Sequence, residues 1–442
     1  MYRFFSADPQ KTALKYQGRE ISYGELYQEI QRRASWLRQH PADYLLCHAS
    51  EAENLVNFLA LIYTGQKGVF CGKNVSQERK LAYAEKYNLG LLDFIPEAPP
   101  ADSTSYQPAA NDYFLGIINP GKGGIIWKDY QSWFSAFPAQ SEVFGMHGHD
   151  RVMVVDALGY SANLNTVIHA LWLGATVVLT SLREAKNWAN LIRDEEITSL
   201  FLVPSHYRLL PENRIFPGLT SAVSAGEKLD PALAEKLLRI FPEARLTEYY
   251  GAAELGHISY LQNREIIEKP TSVGRPFPGV TVHIRQEKIW VESPYVSPGY
   301  RHIPTVSDLG FIDPEGHLWL LGRDGQMFHR RELNLFAEEI EHTPGLCTAA
   351  AMGSPLISSL PAAPPGLQLV RDEPLSQDEL HLFLLKKTTR EQLSGHTLFP
   401  ESLPRNSSGK VNFKILSKKP VDEDSPASIP CALCANHFVF FV

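Results

Sequence analysis

The spacing of apolar residues changes period several times along the chain, and each change predicts an element. Residues 12–16 read as a short extended piece closed by a turn at Gly18, after which Ser22-Tyr-Gly-Glu25 offers a helix N-cap with its capping-box glutamate. A helix is therefore predicted over residues 23–40. Residues 54–65 read as a second, apolar helix, and Gly68-Val-Phe70 as a short buried strand. Proline and small polar residues crowd positions 96–111, which marks a loop. Between residues 150 and 255, apolar strands at 152–155, 176–179, 199–203 and 222–224 alternate with helical patterns at 164–173, 191–194 and 231–241. That alternation predicts crossover units and a mainly parallel sheet. After Pro276 the pattern shortens to strands such as 282–285 and 288–292 bounded by turns, as in a small β-rich subdomain. Residues 325–418 form a separate block, with helices expected at 337–341 and 377–385 and a surface loop at Ser359-Leu-Pro-Ala-Ala-Pro-Pro365.

A length of 442 residues is enough for about three domains, or two if one is large. Hydrophobic residues at 44% and charged residues at 21% exclude a disordered, collagen-like or coiled-coil chain. The net charge of -7 leaves no electrostatic footprint for nucleic acid or an anionic membrane. The N-terminus meets a charge and a proline before any apolar run of signal-peptide length, and no stretch approaches the roughly 18 apolar residues of a membrane span. A cytoplasmic protein is expected, and the sparse, odd count of 5 cysteines fits a reducing compartment. Cys431 and Cys434, with His437 nearby, lack an evident fourth zinc ligand and read as incidental thiols.

Three segments carry candidate chemistry. In Leu246-Thr-Glu-Tyr-Tyr-Gly-Ala-Ala-Glu254 a strand ends in Tyr250-Gly251 and leads to Glu254, offering one ligand an aromatic face, a close backbone approach and a carboxylate. In Ser307 to Arg323, the turn Asp313-Pro-Glu-Gly316 joins two strands and would bring Asp308 and Arg323 to neighbouring positions. The third, Leu403-Pro-Arg-Asn-Ser-Ser-Gly-Lys410, is a turn-rich loop presenting one lysine.

Together, in this order, the three segments resemble the adenylate-forming superfamily of acyl-CoA synthetases, non-ribosomal peptide adenylation domains and luciferases, over about residues 13–416. The resemblance implies an α/β fold, with a large N-terminal domain of mixed, mainly parallel sheets flanked by helices plus a β-rich subdomain, and a small C-terminal α+β domain. It places an AMP-binding domain at 1–323, a mobile domain at 325–418 with its hinge at Gly325, and a tail at 419–442. It assigns Tyr250 and Gly251 to the adenine, Glu254 to the magnesium of ATP, Asp308 and Arg323 to the ribose, and Lys410 to the carboxylate and α-phosphate. Ala225-Gly226-Glu-Lys-Leu229 resembles the strand end lining the acyl and adenine pocket. Tyr160 either gates the carboxylate site or packs as a half-buried tyrosine. The cofactors implied are ATP and Mg2+, with CoA or phosphopantetheine as acceptor, and the partners a carboxylic acid and an acyl or peptidyl carrier protein. Each role has a physical reason. Attack of a carboxylate on a phosphate joins two anions, so a cation and a metal are needed, while a vicinal diol is held well by a carboxylate acceptor.

Two stretches depart from the family pattern. Its phosphate loop, T-S-G-[ST]-T-G-x-P-K, is matched by Gly116-Ile-Ile-Asn-Pro-Gly-Lys-Gly-Gly124, which sets Ile117 and Ile118 on Ser-Gly, Asn119-Pro120 on the threonines and Gly124 on the lysine. The hydroxyls that cradle phosphate are lost, and Asn119 and Lys122 remain as binding candidates. Restoring the family loop is expected to raise activity. At Met327 to Asn334, Arg331 and Glu332 stand where the family has a glycine-rich turn lining the pantetheine tunnel, so their side chains would narrow it. The leading reading is ATP-dependent activation of a carboxylic acid followed by thioester formation. The alternative is a catalytically impaired relative that binds a nucleotide, an acyl ligand or a partner protein without turnover.

Overall fold

The computed structural model describes residues 7–72, 75–96, 105–119 and 124–323, and beyond these the strands Met327–Arg330, Leu333–Phe336, Thr348–Met352, Gly366–Val370, Thr397–Leu398 and Val439–Phe440. In chain order the elements that build the sheets and their covering helices are β1 (Thr12–Tyr16), β2 (Arg19–Ser22), α1 (Tyr23–Gln39), β3 (Tyr44–Leu46), α2 (Glu51–Thr64), β4 (Gly68–Phe70), α3 (Gln77–Tyr87), β5 (Gly90–Leu92), β6 (Tyr113–Asn119) and β7 (Gly124–Asp129). The helices α4 (Tyr130–Phe134) and α5 (Phe137–Phe144) lead into β8 (Arg151–Val155), α6 (Ser161–Leu173), β9 (Thr176–Thr180), α7 (Trp188–Asp194), β10 (Ser199–Phe201), α8 (Pro204–Tyr207), β11 (Ser221–Ala225), α9 (Pro231–Ile240) and β12 (Arg245–Ala252). Then follow β13 (Gly256–Gln262), α10 (Glu265–Glu268), β14 (Ser272–Pro276), β15 (Thr281–Arg285), β16 (Lys288–Glu292), β17 (Asp308–Ile312) and β18 (Leu318–Arg323).

The larger sheet is 13-stranded, and β1, β9, β8, β10, β11 and β12 run parallel within it. This is the crossover region predicted from the strand-helix alternation. The β-rich strands after Pro276 are present too, and β14 joins them by hydrogen bonds to β13, so they continue the same sheet as an antiparallel half. A second, five-stranded sheet has the order β5-β3-β4-β6-β7, with β6 and β7 forming an antiparallel hairpin. Helix α6 is buried on nearly all faces, as its apolar sequence requires.

Local chemistry accounts for most boundaries. The Ser22 side chain accepts from the Glu25 backbone N–H while Glu25 reaches back, so the predicted capping box starts α1. Helix α2 begins at Glu51 rather than 54, because the Ser50 side chain caps it by accepting from Glu53 N. It ends at Gly65 with φ of 79°, a left-handed cap open to glycine. Strand β10 stops at Phe201 because Pro204, whose ring removes a donor, opens α8. The helices expected at 337–341 and 377–385 lie outside the described residues.

Candidate active site

Parallel sheets gather ligands at the carboxyl ends of their strands, and several of the candidate residues occur there. Tyr160 follows β8 at the N-cap of α6, Gly226 follows β11, and Tyr250 to Glu254 end β12. Gly226 has φ of 92°, a conformation that excludes most side chains. Burial pushes the Tyr160 phenol above its usual range, and the Glu227 carboxylate adds to the shift. Tyr249 feels Tyr160 as well. The Gly226–Glu227 turn is tied to β12 by Glu248, a buried carboxylate that ion-pairs with Lys228 and accepts from Leu229 N at 2.6 Å.

Across this edge, the Tyr250 hydroxyl donates to the Asp308 carboxylate, although the two are 58 positions apart in sequence. Asp308 is buried and its Cα pairs with Arg323 across the β17–β18 hairpin, as the turn at 313–316 predicts. The preceding Ser307 holds φ of 65°, strained for a residue with a side chain. A Cβ on Gly251 would come within 2.5 Å of the Gly256 carbonyl, so the bulge after Tyr250 tolerates only glycine. Glu254 is buried, and Ser297 holds its segment by donating from N to Glu254 O at 2.9 Å and from Oγ to Ala253 O at 3.0 Å.

Sequence reasoning missed the buried charges that interact with Glu254. Lys128 on β7 is buried, with one long hydrogen bond, 3.5 Å to Tyr295 O, and the Trp133 ring centroid 5.9 Å away. Burial draws its ammonium down to about 7, against the opposing pull of Glu254 and Asp129. Asp129 is also engaged by Arg301 at 2.6 Å and by Ser132 N at 2.8 Å as the cap of α4, and Glu254 exerts the larger of the two pulls on Lys128. A lysine in a strand pattern reads as solvated, and nothing local marks this one as buried. His257 lies beside them, 4.8 Å from the Phe277 ring and 4.7 Å from Tyr249, and burial followed by the Lys128 charge draws its pKa down to about 3.

That histidine gives a pH prediction. Its folded pKa lies below the ordinary 6.5, so the unfolded chain takes up the proton first and stability falls as pH drops from about 6.5 toward 3. His257→Phe, which keeps the aromatic stack, is expected to flatten that acid limb. Urea midpoints measured from pH 7 to 4 check it, and an unchanged slope contradicts it.

The phosphate-loop alignment needs correction on physical grounds. Ile117 and Ile118 are strand residues of β6, 5% and 2% exposed, and they pack into two different core clusters. Their side chains are packed in the core, and residues 120–123 connect the paired ends Asn119 and Gly124. Substituting Ser and Gly at 117 and 118 would therefore open the core rather than rebuild a loop. Ile118→Ala is expected to destabilise the protein by about 2–5 kcal/mol, read from chemical denaturation. A loss under about 0.5 kcal/mol, the range of surface substitutions, would contradict this burial argument. Backbone placement puts Asn119 at the hairpin end, while Lys122, Gly325, Lys410 and the Arg331-Glu332 pair lie outside the described residues, as does the side chain of Arg323.

The donor set of Glu254, Asp308 and Tyr250 fits a magnesium nucleotide, with a hard carboxylate oxygen for the metal, an acceptor for a diol and an aromatic ring beside them. Residues 127–301 match the family described as AMP-binding enzyme. The chain is 29% identical over 338 residues to YhfT of Bacillus subtilis, an uncharacterized acyl-CoA ligase, covering 68% of this chain and 67% of that one. Among solved structures it superposes on the O-succinylbenzoate CoA synthetase MenE of Bacillus subtilis in complex with ATP and magnesium, with a TM-score of 0.78, 19% identity, and 93% and 97% of the two chains covered. The same synthetase with its acyl-adenylate intermediate gives 0.79 at 18% identity, covering 95% and 98%. The fold is that of the adenylate-forming enzymes. Over residues 127–301 the chain is similar to the AMP-binding enzyme family.

Proposed function

We propose that the protein is an acid-thiol ligase that activates a carboxylic acid as its acyl-adenylate with ATP and then passes the acyl group to a thiol, that of CoA or of a carrier-protein phosphopantetheine. The observation that carries this reading is the convergence of Tyr160, Gly226, Tyr250, Glu254 and Asp308 on the carboxyl edge of one sheet. In the first step a carboxylate oxygen of the acid attacks the α-phosphorus and pyrophosphate leaves; in the second a thiolate attacks the acyl carbon and AMP leaves. Asp308 accepts from the ribose hydroxyls with Arg323 beside it, Tyr250 lies along the adenine, and the Gly226 turn lets the backbone approach. Glu254 would hold the magnesium of ATP, which would supply positive charge against the leaving pyrophosphate. Lys410 supplies the cation at the α-phosphate.

ATP–pyrophosphate exchange with a pool of carboxylic acids tests the first step, and hydroxylamine-free transfer to CoA or to a phosphopantetheinylated carrier distinguishes the acceptors. A catalytically impaired nucleotide binder is the second reading, favoured by the β6–β7 hairpin, whose positions 117 and 118 hold core isoleucines in place of hydroxyls. ATP binding with no exchange for any acid supports that second reading.

A further inference from the structure

The turn of the β17–β18 hairpin, at the far end from Asp308, gathers charges the proposed reaction does not use. Asp313 Oδ1 accepts from Glu315 N at 2.9 Å and His317 N at 2.8 Å, and its Oδ2 accepts from Trp319 Nε1 at 2.9 Å. His317 is 0% exposed, yet neither of its ring nitrogens has a hydrogen-bond partner. Such an orphaned buried imidazole is costly unless something satisfies it. Its Nδ1 lies 3.5 Å from Asp313 Oδ2 and 3.8 Å from Glu315 Oε2, too long for hydrogen bonds. One ligand atom from each of the three residues falls within 4.8 Å of the others.

Those separations fit coordination. Two ligands at about 2.1 Å from a tetrahedral zinc ion stand roughly 3.4 Å apart, close to the observed spacing from Nδ1. The other nitrogen, Nε2, faces Glu265 Oε1 at 3.8 Å, where a carboxylate can orient a metal-bound imidazole from outside. A cation already leans on the same oxygens, for Lys269 Nζ is 2.7 Å from Glu315 Oε2 and 3.9 Å from Asp313 Oδ2. The Glu315 side chain is exposed, which leaves an entry path from solvent.

We propose that Asp313, Glu315 and His317 form a binding site for a divalent cation of zinc type, separate from the nucleotide site, with Lys269 as its built-in competitor. One imidazole and two carboxylates suit a borderline ion over the harder calcium or magnesium. Bound there, the ion would pin the β17–β18 turn and satisfy the buried imidazole.

The test uses the untagged full-length chain, stripped of metal and titrated with Zn2+ by calorimetry and with Co2+ by absorption. The wild type is expected to bind one equivalent that His317→Ala loses, and Glu315→Gln, a change at an exposed position, is expected to weaken it by about tenfold or more. Lys269→Met should tighten it, an effect that a merely structural cluster would not produce. The Co2+ bands of this equivalent should lack thiolate charge transfer, which separates it from Cys431 and Cys434. Equal stoichiometry and affinity in the wild type, His317→Ala and Glu315→Gln would overturn the site, and so would a Co2+ spectrum arising from thiolates alone. Unchanged affinity in Lys269→Met would overturn the competitor role.

Discussion

Replacing Lys410 with alanine is expected to lower ATP–pyrophosphate exchange by roughly 100- to 1,000-fold or more while leaving the unfolding midpoint in place. The acid and the α-phosphate both carry negative charge, and their approach is where a single cation matters most. A lysine in the polar run Leu403-Pro-Arg-Asn-Ser-Ser-Gly-Lys410 is expected from its sequence to add little to a core, so activity and stability should separate. Lys410→Arg keeps the charge but not its shape, and partial recovery there would support a positioned cation. An exchange rate unchanged in Lys410→Ala would remove the lysine from the proposed mechanism.

Asp308→Ala should weaken ATP binding by about tenfold to a hundredfold, since a hydrogen bond to a charged group is worth on the order of 1.5–3 kcal/mol. In the free protein Asp308 already accepts from the Tyr250 hydroxyl, so this substitution takes away the diol acceptor and the acceptor of that hydroxyl together. Tyr250→Phe serves as the control. It removes only the donor, keeps the ring beside the nucleotide, and should cost less affinity than Asp308→Ala. Calorimetry that finds the two variants equal, or Asp308→Ala equal to wild type, would place the ribose elsewhere.

Much of the fold follows from short-range chemistry. The capping box at Ser22 and Glu25, the glycine at position 65, the proline at 204 and the strand-helix alternation from 150 to 255 each act within a few residues, and the elements form where those signals fall. The hairpin turn at 313–316 likewise brings Asp308 opposite Arg323, because a tight turn sets register locally. The motif around Tyr250 and Glu254 was legible for the same reason, as a strand end with glycine and a carboxylate.

Burial and long-range pairing were decided by the tertiary structure. Ile117 and Ile118 align with a loop motif yet sit in the core, because the partners of β6 on both sides determine where that strand ends. Lys128 carries a polar side chain in an ordinary strand pattern, and only packing against Trp133 and Tyr295, the latter 167 positions away, buries its ammonium within the field of Glu254. The approach of Glu265 and Lys269 to the turn that holds His317 depends in the same way on α10 meeting the hairpin. Caps, turns and periodicity are interactions between neighbours in the chain and are written in it. The dielectric around a charge, and the partner it finds across tens or hundreds of residues, exist only once the sheets have packed.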